Sequence, residues 1–367
     1  TEMTPQPATD DGFADEVEFT ARVEGFLADH CSRISDPADD ESEAHGLVRT
    51  RAFQRALVDA GLAGLTYPTQ LGGAGLTPLH QEVFTRVSAG WRLPNGPLAI
   101  SHGMCLPMLA QFGTEEQKAR YLPDNISAET IWCQMFSEPG AGSDVAGLSM
   151  RAVRDGEEWI LDGQKVWTSG AHYCDFGIVV ARTDPTLPKH QGLSMFIVDM
   201  HDPCIEVRPL RQISGGSGFN EVFFTDVRVP AENLVGPLNG GWGVANGSLG
   251  HERTMMWLGF ADRIANTIAD FQPTNALERD ALASSIMDYE ALRLLGSVGI
   301  AKAARGEVDV ASVSIPKLLG AEAEQGQIEK PPAGLGGVIG PGDRPCRRPI
   351  QAQCAGVAAI WAAYQRI

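Results

Sequence analysis

The hydrophobic period of the chain changes twice, and that order limits the fold more than any single residue does. From 16 to 34 the apolar residues Phe19, Val23, Phe26 and Leu27 recur at helical spacing. Helical patterns continue over 51–60, 79–90 and 101–112, and Thr114-Glu115-Glu116 opens another with a capping hydroxyl and early acids. The period then becomes two. The segment 150–170 carries Asp155-Gly156 and Asp162-Gly163 between alternating stretches, the strongest short-range sign of hairpins. Further strands are predicted at 176–183, 193–200, 205–210 and 221–229. Helical spacing returns over 242–269, 276–304 and 311–325. Helices, then strands, then helices predict an α+β protein in three layers. The expected parts are an N-terminal helical domain (1–127), a middle β domain of barrel or sandwich type (128–237) and a C-terminal helical bundle (238–325). An atypical Gly/Pro-rich tail (326–367) follows. A Rossmann arrangement is disfavoured, because no Gly-x-Gly-x-x-Gly follows a strand.

Charge narrows the function classes. The net charge of -17 argues against a chain built to hold nucleic acid, whose footprint is a basic face. No apolar stretch reaches the ~18–20 residues of a membrane span, and no secretory signal is read at the acidic start. The seven cysteines are scattered without a Cys-x-x-Cys pair, so neither a zinc site nor a disulfide framework is expected. Reduced thiols in a cytoplasmic protein are the plain expectation. The charge is uneven: residues 1–46 hold 13 acids against 2 arginines, whereas from Gly326 onward five basic residues face two acids.

Three segments could carry chemistry. In 133–147 a strand ends at Ser137 and enters a loop with Pro139, Gly140 and Gly142. Glycines there let backbone N–H groups approach a phosphate or ring, and Ser137 and Ser143 add hydroxyls. An ordinary glycine-rich turn would read the same way. In 163–175 Trp167 lies beside Thr168 and Ser169, a flat apolar surface next to hydroxyls, which suits a cofactor ring or simply a packed core. In 247–259 Glu252 and Arg253 are followed by Met255, Met256, Trp257 and Leu258. A carboxylate among such neighbours can have a raised pKa and act as a base near neutral pH, while a solvated Glu-Arg pair is the bland alternative. His251 has no second ligand at metal spacing, so no metal site is expected.

In this order the segments resemble the acyl-CoA dehydrogenase family. The carriers are SEPGAGSD (137–144), DGQKVWTSGA (162–171), FTDVRVPAENLVG (224–236) and FGTEEQKARYLP (112–123), and the resemblance runs from about Phe53 to Gln325. It implies that family's fold, FAD between the β domain and the C-terminal helices, and a tetramer. It implies that Gln134, Phe136, Ser137, Gly142 and Ser143 hold the flavin ring and ribityl chain. Trp167, Thr168 and Ser169 would cover the ring's other side. Ser143, Gly250, His251, Glu252 and Arg253 would touch the acyl-CoA. The implied reaction is α,β-dehydrogenation of an acyl-CoA thioester to the trans-2-enoyl-CoA, with electrons passed to an electron-transfer flavoprotein. A flavin oxidase and a non-catalytic structural subunit of a heterotetramer are the alternatives.

Within the family the catalytic glutamate stands either near the C-terminus or in the first long C-terminal helix, immediately before an arginine. This chain lacks a segment of the first kind and has Glu252-Arg253 at the second position, so Glu252 is the expected base and Arg253 its support. Two departures stand out. The segment 275–295 lacks the arginine-x-x-phenylalanine-glycine pattern that many relatives use to reach a neighbouring subunit's FAD, and looks more like the actinobacterial branch acting on bulky acyl-CoAs, including steroid side chains. The segment 326–349 has six glycines and five prolines, which cannot continue a helical bundle. It reads as a substituted or out-of-frame end, which would leave part of the flavin pocket missing or supplied by a partner.

Overall fold

The computed structural model describes residues 10–33, 42–88, 90–213, 215–269, 272–304, 307 and 310–329. It divides into two compact units, one formed by Thr1–Cys133 with Tyr173–Phe176, the other by Gln134–His172 with Gly177–Ile367.

The first unit is helical. Helix α1 (Asp10–His30) buries the expected stripe of Phe19, Val23, Phe26 and Leu27. Burying each such side chain contributes about 1.5–3 kcal/mol. Two short strands, β1 (Ser32–Arg33) and β2 (Trp91–Arg92), pair antiparallel. Helix α2 (Glu43–Asp59) begins eight residues before the apolar periodicity does, because Ser42 caps it and Glu43 sits in its first turn. Helix α3 (Pro78–Ser88) follows. The expected helix over 101–112 is a π turn, Ser101–Cys105, running into helix α4 (Leu106–Phe112). Helix α5 (Glu115–Ile126) starts with a full capping box between Thr114 and Gln117. Arg51 ties the end of this unit together, donating to the carbonyls of Ala128 and Glu129 and pairing with Asp175, whose carboxylate accepts the Ile131 N–H.

The second unit holds the long helices and nearly all of the sheet. The sheet strands are β3 (Trp132–Met135), β4 (Arg151–Asp155), β5 (Glu158–Ser169), β6 (Phe176–Arg182), β7 (Leu193–Asp199), β8 (Ile205–Leu210), β9 (Phe219–Pro230) and β10 (Leu234–Val235). Among the described residues these eight form one sheet in the order β10-β7-β6-β4-β5-β9-β8, with β3 paired to β6. Strands β6 and β7 are buried at nearly every position, which explains their largely apolar sequences.

One of the two expected hairpin turns is absent. Asp155-Gly156 does turn the chain between β4 and β5, with Asp155 opposite Glu158. Asp162-Gly163 instead lies inside β5, at a shift of register against β9. The glycine is needed there for close approach. At its φ of +149° an added Cβ would stand 2.8–3.0 Å from Met150 atoms, including the backbone Cα.

Helices α6 (Gly241–Ala269), α7 (Ala276–Ala304) and α8 (Val310–Glu329) pack around Phe260, Ala261, Ile264, Leu292 and Ala323, and Arg263 pairs with Glu324 between α6 and α8. Helix α8 runs four residues past the expected end at 325. A lone Gly326 costs only about 1 kcal/mol in a helix, and the dense Gly/Pro run starts later. Residues 330–367, with most of the atypical tail, lie outside the described ones. No helix among the described residues is long and apolar enough to cross a membrane.

The first residue of α6 rests directly on β7. A Cβ at Gly241 would lie 2.7–2.8 Å from the Ser194 backbone N, Cα and C. Gly241→Ala should therefore lower stability by about 1–3 kcal/mol, read as a shift of the urea unfolding midpoint, because backbone on both sides must move. An unchanged midpoint would show that α6 is seated otherwise.

Candidate functional site

The loop that follows β3 is built around a buried charge pair. Glu138 and Ala141 exchange backbone hydrogen bonds of 2.9 and 3.0 Å, which closes a tight turn over Pro139-Gly140. The Glu138 carboxylate accepts the Ser149 N–H at 2.7 Å, the Ser149 hydroxyl at 2.9 Å and the Met150 N–H at 3.0 Å. Lys165 Nζ donates to Glu138 Oε1 at 2.9 Å and to the Phe136 carbonyl at 3.1 Å. The lysine side chain is fully buried.

Burial drives the Lys165 ammonium down to a pKa of about 8, against the opposing pull of the Glu138 charge. Burial also acts to raise Glu138. The Lys165 charge and the hydrogen bonds from Ser149, Lys165 and Met150 outweigh it, so the carboxyl titrates below its usual range.

Strand β5 changes character two residues after Lys165. Its register with β9 slips between Lys165 and Thr168, and Trp167 takes φ +60°, a left-handed value that is an outlier for a bulky side chain. The bulge turns the indole outward, leaving Trp167 54% exposed and in a T-shaped contact with Phe219. Thr168 points inward. Its Oγ1 is buried and has no hydrogen-bond partner among the described residues, while its carbonyl accepts from Asn220 Nδ2 at 2.9 Å. Asn220 Oδ1 in turn meets His172 Nδ1 at 3.1 Å. Ser169 is half-buried, opposite Phe219 in the register.

The structure brings the first two predicted segments together. The Val166 N–H donates to the Ser137 carbonyl at 2.9 Å, next to the bond from Lys165 to Phe136. It also links the first to α6, since the buried Ser248 hydroxyl donates to Gln134 Oε1 at 3.0 Å. Phe136 is buried, Gly142 half-buried and Ser143 exposed. An added Cβ on Gly140 would meet nothing within 4 Å, so the loop presents bare backbone to open space. Gly250, His251, Glu252 and Arg253 fall on α6, but their side chains lie outside the described ones. No group of three or more metal-ligating side chains occurs among the described residues.

Sequence reasoning passed over Glu138, Lys165, Ser248, Asn220 and His172. For Lys165 a signal existed: it shares the inward parity of Trp159 and Leu161 along β5, and a charge at a core-facing position needs a buried partner. Nothing in the local sequence marked Ser248 or Asn220, whose partners are distant in the chain.

These features suit a flat, polar-edged cofactor. A left-handed tryptophan and a buried hydroxyl without a partner each carry a cost that a ligand would offset, and the open glycine turn beside them lets one approach the backbone closely.

The family patterns for the acyl-CoA dehydrogenase N-terminal domain and middle domain match residues 14–129 and 133–227. FadE34, an acyl-CoA dehydrogenase of Mycobacterium tuberculosis, is 40% identical over 75% of this chain, which spans only 39% of that protein's length. The same organism's acyl-CoA dehydrogenase IpdE1 is 37% identical over 68% of this chain and 67% of its own. The solved structure described as Tcur3481-Tcur3483 steroid ACAD superposes with a TM-score of 0.73 at 28% identity, covering 97% of this chain and 94% of its own.

If the bulge exists to present a ring surface, Trp167 contributes little to folding. Trp167→Gly should leave the urea-unfolding stability of the flavin-free chain within about 1 kcal/mol of the parent, because relief of the positive φ offsets the lost contacts. A loss of about 3–5 kcal/mol would make it an ordinary core tryptophan.

Proposed function

The chain belongs to the acyl-CoA dehydrogenase family, and on that footing we propose that it catalyses α,β-dehydrogenation of an acyl-CoA thioester to the trans-2-enoyl-CoA, using FAD. The observation that carries this reading is the unpartnered Thr168 hydroxyl beside the outward, strained Trp167, held against the glycine turn that follows β3. Bound FAD would supply the acceptor for the β hydrogen, which leaves the substrate as hydride.

The residues of the chain have separate tasks. Gln134, Phe136, Ser137, Gly142 and Ser143 would hold one side of the flavin, and Trp167, Thr168 and Ser169 the other. The indole would shield the ring from water and the threonine hydroxyl would gain the partner it lacks. Ser143, Gly250, His251, Glu252 and Arg253 meet the acyl-CoA. Glu252 takes the α proton. Its neighbours in sequence, Met255, Met256, Trp257 and Leu258, are apolar, which favours a carboxylate poised near neutral pH. Arg253 supports its geometry.

Electrons leave to an electron-transfer flavoprotein in the cytoplasm. Likeness to the structure described as a steroid ACAD favours a bulky acyl group. A tetramer with a second copy or a related subunit is supported by the exposed apolar residues Met287, Leu294 and Val298 on α7 and Ile315 and Leu318 on α8.

Two measurements test the reading. The purified full chain, alone or co-expressed with a related subunit, should carry visible flavin absorbance; colourless protein in both cases would mark a structural subunit. Glu252→Gln should lower acyl-CoA turnover about 10²–10⁴-fold with flavin content unchanged. Near-normal turnover would remove Glu252 from the role of base.

A further inference from the structure

Glu138 and Lys165 form a buried pair that no step of the proposed reaction uses. Together they reach four other backbone or hydroxyl groups: the Phe136 carbonyl, the Ser149 N–H and hydroxyl, and the Met150 N–H. These groups lie at both ends of the loop 137–149. Lys165 itself is on β5, two residues before the strained Trp167 and three before the unpartnered Thr168. One ion pair therefore fixes the start of the loop, its end and the strand facing it.

Its placement is informative. A buried ion pair is a poor source of stability, since desolvation of both charges consumes most of the Coulomb gain. Its value lies in geometry. The Lys165 ammonium donates to the Phe136 carbonyl, one residue from the Ser137 carbonyl that accepts from Val166. Two adjacent carbonyls are thus drawn onto the bulged part of β5. The glycine turn between Glu138 and Ala141 is closed by its own two backbone hydrogen bonds, while Gly140 at its tip faces open space, so the Glu138 side chain is what fastens the turn to the start of β4.

We propose that Glu138 and Lys165 are positioning residues that set the loop 137–149 in its binding-ready shape against Trp167 and Thr168 before the flavin arrives. The inference rests on the flavin reading above. Neither residue touches the reacting atoms. Both act through the backbone that would cradle the ring, so their loss should weaken cofactor binding by disordering the cradle.

The test separates positioning from plain stability by comparing Lys165→Met with the double variant Glu138→Gln/Lys165→Met, both in the full chain. The single variant leaves a buried carboxylate without its cation and should lose stability as well as flavin affinity. In the double variant that charge is gone, so the unfolding midpoint should return most of the way to the parent value. The clamp on the Phe136 carbonyl is still missing. The Kd for FAD should therefore stay raised about 10-fold or more, and hydrogen exchange over 136–150 in the flavin-free protein should stay faster than in the parent. If affinity and exchange recover together with stability, the pair is merely structural and the proposal falls. Should Lys165→Met fail to fold, the double variant decides alone: parent-like Kd and exchange overturn the proposal. A parent chain that takes up no FAD would overturn the flavin reading itself, a different result from a flavin-binding parent whose variants bind equally well.

Discussion

Strand β5 has to meet two demands that a regular strand cannot meet together. It must pair with β4 on one side and β9 on the other, and it must hand one large side chain out of the sheet near its end. The slip of register between Lys165 and Thr168 reconciles them. Before it, alternation is regular, with Trp159, Leu161 and Lys165 all turned inward. After it, Trp167 faces outward and Thr168 inward, and the ladder with β9 resumes at Asn220. The strain of a left-handed tryptophan is tolerated because β9 and the loop after β3 hold the backbone from both sides.

That arrangement explains why a lysine sits in the core. The strand that carries the outward indole must be tied to the loop facing it, and the first turn of that loop, Ser137 to Gly142, offers little beyond Ala141 to pack. Charge-assisted hydrogen bonds to backbone groups supplement its apolar contacts. The same logic governs the other end of the loop, where one carboxylate satisfies two backbone N–H groups and a hydroxyl before β4 begins.

Much of this was legible in the sequence, and the exceptions share a cause. The α1 stripe, the Thr114 cap and the apolar runs of β6 and β7 were readable because each is a local pattern enforced by burial. The failures are positions whose reason is a distant neighbour. Asp162-Gly163 has the composition of a turn, yet its glycine answers to Met150. Glu138 reads as one polar letter in a loop, yet it answers to Lys165, 27 residues later. One exception stands apart, for its cause is local: a cap, not apolar spacing, sets the start of helix α2. For the candidate site the segments were legible, but not the clamp that joins them. The motif letters Gly, Ser and Trp describe surfaces open to a ligand, while the residues beneath look like ordinary charges.

Helix α6 is fastened at two places. Near its start Gly241 lies on the backbone of β7 and Ser248 bonds to β3; from Phe260 onward it is part of the helical core. The turns between, which carry Gly250 to Arg253, span two anchorages that belong to different structural parts. On the proposed reading the acyl-CoA contacts and the base would lie on this bridge and the flavin on the sheet, so acyl specificity and the grip on the cofactor would reside in separate stretches of the chain, each open to change without rebuilding the other.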